Sequence, residues 1–148
     1  MSKAVRKKNV AKIKVLNAIE DSSVEVGWHE DADPYDNGKA VAAVAYDNEF
    51  GNSQRGVPQR SFFRTTIHEK ESEWVRKTAA LVKKGRAARV VMDLVGNEIQ
   101  GNVQEKIQSI AAAGGNSEAT IARKGFDSPL IDSSHMVKTI SKKVTVKK

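Results

Sequence analysis

From Val91 to Ala111 an apolar residue falls at every fourth position along most of the run: Val91, Val95, Ile99, Val103, Ile107 and Ala111. A four-residue step drifts slowly around a 3.6-residue helix, so these side chains draw one continuous stripe. Leu94 and Ile110 widen it. The pattern predicts a helix from about Ala87 to Ala113, stopped by Gly114 and Gly115. A helix of this length needs other elements laid along its apolar face, because packing rather than propensity supplies most helical stability in a protein.

The partners are legible on either side. Phe63, Ile67, Trp74, Thr78 and Leu81 recur at three, four or seven between Ser61 and Lys84, which predicts a second long helix, and Gly85 marks the corner between the two. "KAVAAVAYDNEF" predicts a short alanine-rich helix with Val41, Val44 and Ala45 inward and Gly51 as its C-cap. "SSVEVGW" alternates, with Val24, Val26 and Trp28 on one side, and so does the end of the chain, with Ile140, Val144 and Val146. Both read as half-buried strands that pair with each other. Residues 29–38 hold Asp-Pro and Asn-Gly steps and read as a loop or hairpin excursion. Residues 4–19 place Val5, Val10, Ile13, Leu16 and Ile19 at mostly helical spacing with lysines opposite, and 116–126 reads as a short capped helix before a turn at "DSPL".

These elements add up to an α+β fold, a small antiparallel sheet packed against two or three long helices, in one domain over 1–148. Residues 1–21 form a basic N-terminal helix, 22–113 the core, and 114–148 a C-terminal segment ending in a strand. Two strands alone make a poor sheet, so more strand is expected from the 29–38 excursion or from a neighbouring subunit.

Charge is distributed in blocks. Residues 1–14 carry Lys3, Arg6, Lys7, Lys8, Lys12 and Lys14 with no acid, and residues 74–92 carry Arg76, Lys77, Lys83, Lys84, Arg86 and Arg89 with no acid. Between Glu20 and Glu49 nine acids face Lys39 alone. Such blocks suit either a polyanion partner or a subunit whose acidic patch meets a basic patch on the next copy. The chain has no cysteine, which excludes disulfides and thiolate chemistry and is compatible with assembly in a reducing cytoplasm. No run reaches the roughly 18 apolar residues of a membrane span, so no membrane partner is expected.

The loop "GNSQRGVPQRS" invites a phosphate-binding reading. Gly51 and Gly56 have the P-loop spacing, but Val57 and Pro58 stand where Lys and Ser or Thr belong, and Pro58 lacks an N–H. "DADPYDNG" fails the EF-hand order, with Tyr35 at its fifth position and Asp36 where glycine is required. His29, His68 and His135 share no ligand spacing, and neither G-x-S-x-G nor H-E-x-x-H occurs. The sequence nominates no catalytic residue, metal ligand or cofactor, and the protein is expected not to be an enzyme.

"VEVGW", then "GKAVAAVAYDNEFGN", then "GVPQRSFFRTTI" resembles, in that order, a pattern found in tailed-bacteriophage morphogenesis proteins. "VGNEIQGNVQEKI" and "NSEATIARKGFDSPLIDSSHMVKTI" are similar to that family's second long helix and closing segment, so the resemblance runs over most of residues 22–141. It departs at Ser61 and Phe62, where proline and phenylalanine are common after the arginine, and at Ser134 and His135, which replace a threonine–glycine step. The family is the neck or tail-completion type, grouped with virion-morphogenesis and minor tail proteins. The resemblance implies a structural virion protein, assembled in the host cytoplasm, that forms a ring, commonly six-fold, at the head–tail junction. Its partners would be further copies of itself, the connector, and tail-tube or terminator proteins, with non-specific contact to exiting DNA. The competing reading is a basic accessory protein that binds nucleic acid without sequence preference. Candidate interface residues are Glu49, Asn52, Gln54, Arg55, Arg60 and Arg64, on a corner whose residues 52–57 are expected to order against another subunit; candidate DNA-facing cations are Lys83, Lys84, Arg86 and Arg89.

Overall fold

The computed structural model describes residues 19–114 and 134–146. The helix expected over 4–19 falls outside these residues except at Ile19, and the short helix and turn expected over 116–130 fall outside them entirely. In chain order the elements are β1 (Ser22–Gly27), α1 (Val41–Phe50), a 3-10 turn (Ser53–Arg55), α2 (Phe63–Lys83), α3 (Ala88–Ala113), α4 (His135–Thr139) and β2 (Ser141–Val146). The fold is α+β, with a two-stranded antiparallel sheet and three long helices.

α3 is the spine. It packs against α2 along one side and against both strands along another. Its buried residues are Val91, Met92, Val95, Gly96, Val103, Ile107 and Ala111: the predicted four-step stripe with Met92 and Gly96 added and Ile99 half-buried, whereas of the two residues expected to widen it Ile110 is half-buried and Leu94 is exposed. Two apolar clusters flank this helix and share Ile99. One joins Val103 and Ile107 to Val41, Ala45, Phe62, Met136 and Ile140. The other joins Val91, Met92 and Val95 to Val82, with Ile19, Val24, Trp74 and Val144 around them.

The strands pair in the register Val24↔Val144 and Val26↔Lys142. Alternation puts Val24 and Val144 toward α3 and leaves Glu25 opposite Lys143 on the outer face, where opposite charges face each other. Residues 29–40 contribute turns and no strand. The sheet therefore has two strands among the described residues, and α3 supplies the apolar cover that further strands would give.

Close approach of helix and sheet depends on Gly96. A Cβ built there lies 2.6 Å from Val24 Cγ2 and 3.2 Å from Lys142 Cδ. The Lys142 stem crosses this bare patch of helix, and its ammonium reaches Asp93 Oδ1 at 2.6 Å and the Asn97 side chain. Two polar tethers fix the remaining contacts. Trp74 Nε1 donates to Asn102 Oδ1 (2.8 Å) between α2 and α3, and Gln104 Nε2 donates to the Val137 carbonyl (3.0 Å) between α3 and α4.

Gly96→Val should lower stability by about 1–3 kcal/mol, the usual cost of overpacking a close contact. Urea denaturation checks this. Gly101→Ala provides the internal control, because a Cβ at that helical position meets nothing within 4 Å. It should leave the protein unchanged or slightly more stable.

Candidate functional site

The corner between α1 and α2 poses a physical problem before it offers a surface. The first N–H groups of a helix have no partner within it. At the start of α2 the residue in the capping position is Phe62, which is 1% exposed and has no side-chain acceptor. Asn, Asp, Ser or Thr would ordinarily stand there. The missing acceptor comes from the end of α1. Glu49 Oε2 accepts from the Phe62 N–H (2.9 Å) and the Phe63 N–H (2.8 Å), and Oε1 accepts from the Arg64 N–H (3.1 Å) and the Ser61 hydroxyl (2.9 Å). The Arg64 guanidinium closes the arrangement, with Nε 2.9 Å from Oε1.

Glu49 is 5% exposed, and burial pushes its carboxyl pKa upward. The Phe63 N–H, the Arg64 guanidinium, the Arg64 N–H and the Ser61 hydroxyl outweigh that and hold it below its ordinary value. The positive end of the α2 dipole acts in the same direction.

The loop that returns from α1 to α2 is closed on itself. Gly51 has φ 77°, and a Cβ there would sit 3.0 Å from the Gln59 nitrogen, so both backbone and space require glycine. Asn52 and Val57 exchange backbone hydrogen bonds at 2.8 and 2.9 Å, and the Asn52 side-chain oxygen accepts from the Arg55 N–H. Asp47 gathers the Asn52 amide (3.1 Å) and the Arg55 guanidinium (3.2 Å). Residues 52–57 thus form a finished turn within one chain, not a segment awaiting a neighbour to order it.

Beside this corner α1 carries an exposed aromatic step. Tyr46 and Phe50 are 64% and 46% exposed, their rings 4.7 Å apart, and the Arg64 guanidinium lies 4.5 Å over the Phe50 ring. Behind them runs an open groove of about 240 Å³ lined by apolar side chains, Trp28, Ala42, Ala45, Phe62 and Phe63 among them. Trp28 packs edge-on to Phe62 at 5.7 Å, which fixes the groove floor.

The expected interface residues divide accordingly. Glu49 faces inward and is consumed by the cap, so its side chain is not available to a partner; the sequence signalled neither this nor the exposure of Tyr46. Arg64 bonds Glu49 with one end and stacks on Phe50 with the other, so a charge reversal there would disturb the fold, and an Arg64 variant does not probe an interface cleanly. Gln54 and Arg55 are exposed on the turn. The Arg60 backbone is tied to the Asn48 carbonyl (2.7 Å).

At the other end of α2, Gly85 (φ 75°) closes the helix in a Schellman pattern, with Gly85 N–H on the Val82 carbonyl and Arg86 N–H on the Leu81 carbonyl. This brings Lys83, Lys84, Arg86 and Arg89 together on one exposed corner. The histidines do not converge on one another's partners: His29 Nδ1 pairs with Ser141 Oγ, His135 with the Asp33 carbonyl, and His68 is exposed. Among the described residues no group of three or more His, Asp or Glu side chains is placed to hold a metal ion, and no helix is long and apolar enough to cross a membrane.

Glu49→Gln should cost about 1–3 kcal/mol at neutral pH, the penalty for leaving buried N–H donors short of an acceptor. The pH dependence has a definite sign. The folded-state pKa lies below the ordinary carboxyl value of 4.5, so this stabilisation is complete above that value and is lost as pH falls through the depressed folded pKa. The stability gap between wild type and Glu49→Gln should therefore shrink on acidification, read from urea midpoints at a series of pH values. A gap that stays constant would remove the carboxylate charge from the account.

No family model, curated protein or solved structure matches the chain.

Proposed function

We propose that this protein is a structural subunit of a tailed-phage virion that assembles into a ring at the head–tail junction and joins the tail to the capsid connector. The ordered resemblance of its motifs to neck and tail-completion proteins suggests the class. The observation that carries the reading is the exposed Tyr46–Phe50–Arg64 step beside a corner made rigid by a buried carboxylate. An apolar, aromatic and arginine-bearing surface on a fixed scaffold has the composition of a protein–protein contact. Ring closure requires a surface on each copy that meets a different surface on the next, and the block distribution of charge fits such a heterologous contact. The expected symmetry is six-fold.

One observation favours a second reading, a basic accessory protein that binds nucleic acid non-specifically. Lys83, Lys84, Arg86 and Arg89 share one exposed corner. In a ring the same corner would meet exiting DNA through weak, salt-screened phosphate contacts. Micromolar binding of a monomer to DNA at physiological salt, without incorporation into particles, supports the second reading over the first.

Phe50→Glu tests the leading proposal. The side chain is already half in solvent, so stability should fall by only about 1–2 kcal/mol, the worth of the Arg64 and Tyr46 contacts, and the protein should stay folded. In a phage carrying the variant, electron microscopy should show filled heads and separate tails with a loss of infectious titre. Joined, infectious particles would exclude this surface from the junction.

A further inference from the structure

The aromatic groove has an acidic approach. The chain leaves the groove at Trp28 and returns to it at Ala42, and the intervening loop carries Glu30, Asp31, Asp33 and Asp36 on exposed positions against Lys39. Among the described residues Asp31 shares its charge with Lys143, at 3.3 Å. Glu30, Asp33 and Asp36 have no ion pair there. A ligand for this surface should therefore offer an apolar ridge for the groove and cations for the loop.

One segment of this chain has both properties. Residues 1–18 hold Val5, Val10, Ile13 and Leu16 at mostly helical spacing, with six cations and no acid before residue 15. An amphipathic segment laid into an apolar groove, anchored through residues three, four or seven apart, is a recurrent mode of recognition. The segment joins the described chain at Ile19, which packs against the second apolar cluster, with the whole of β1 between it and Trp28. To reach its own groove the segment would have to double back along the sheet.

We propose that the groove on α1 receives the basic segment 1–18 of an adjacent copy, an arm-in-groove exchange that repeats around the ring. This rests on the ring reading above and names the contact that would build it. The aromatic step supplies apolar anchorage, and the acidic loop supplies steering that weakens with salt. The exchange is heterologous, so successive copies continue in one direction until the rotation closes.

The absence of cysteine makes a direct test available in the full chain. In Val10→Cys/Ala42→Cys, mild oxidation should give a ladder of disulfide-linked oligomers on a non-reducing gel. Adding Phe50→Glu, or raising the salt concentration, should reduce the ladder several-fold. Val10→Cys/Glu25→Cys, with its second thiol on the outer face of the sheet, should give none. Circular dichroism melts confirm that each variant is folded, and Ile13→Cys/Ala42→Cys repeats the test with a different anchor. A fast-migrating cross-linked monomer would overturn the exchange in favour of a segment folded onto its own groove. So would a ladder equal to that of the outer-face control, or no cross-link in either pair. Mass spectrometry of purified particles separates the two levels. If the chain is in the particle and the ladder fails, the arm exchange alone is wrong; if the chain is absent from particles, the head–tail assignment falls whatever the gel shows.

Discussion

A single carboxylate sets the geometry of the corner on which the proposed activity rests. Glu49 is the last inward residue of α1, and it supplies the acceptor that α2 lacks at its own beginning. The end of one helix and the start of the next are therefore one electrostatic unit. Because Phe62 is given to the core, the usual capping position has no polar side chain, and the cap must come from elsewhere in the chain. The cost of burying a charge is offset by four hydrogen bonds and a guanidinium, which is the condition under which buried carboxylates persist. Arg64 then serves two masters: it neutralises Glu49 and leans on Phe50, so the internal cap and the external aromatic step are mechanically joined.

The elements were largely legible in the sequence because each has its own periodicity. The four-residue step from Val91 to Ala111 located α3, and alternation around Val24 and Val144 located both strands and their partnership. The glycines at 51, 85 and 114 marked helix ends that have left-handed φ in the fold. What stayed hidden was contact between residues far apart in sequence. Glu49 reads as a surface acid on an alanine-rich helix, and nothing local says that its carboxylate caps a helix beginning fourteen residues later. Gly96 reads as a weak point in a helix, until Val24 and Lys142 are found against it. The sheet was expected to need more strands because a sequence shows strand number and not the helix lying across the face. Of the charged residues expected at the corner, Glu49 turned inward to cap α2 and Arg55 closed onto Asp47, and the exposed aromatic step beside them went unnoticed.

α3 makes the fold economical. One helix serves α2 on one side and both strands on another, and it uses different side chains for each. Facing α2 it uses long side chains and polar tethers, such as Asn102 to Trp74 and Glu98 to Lys77 at 2.6 Å. Facing the sheet it uses a glycine, which lets β1 and β2 settle close to its axis. The pair of clusters that results meets at Ile99, so the two halves of the core are continuous through one side chain.

The two strands stand at opposite ends of the described chain, with Ser22 opposite Val146. During synthesis the α2–α3 hairpin can close as soon as it emerges, since its turn is short and its contacts are local. The sheet must wait for the last strand. The groove waits with it, because the Trp28 indole that forms part of its lining donates to the Met136 carbonyl, 2.9 Å away and 108 residues later. A chain lacking β2 would therefore have its helices before it had a finished groove. The groove is thus assembled last, and its presence reports that both ends of the described chain are in place.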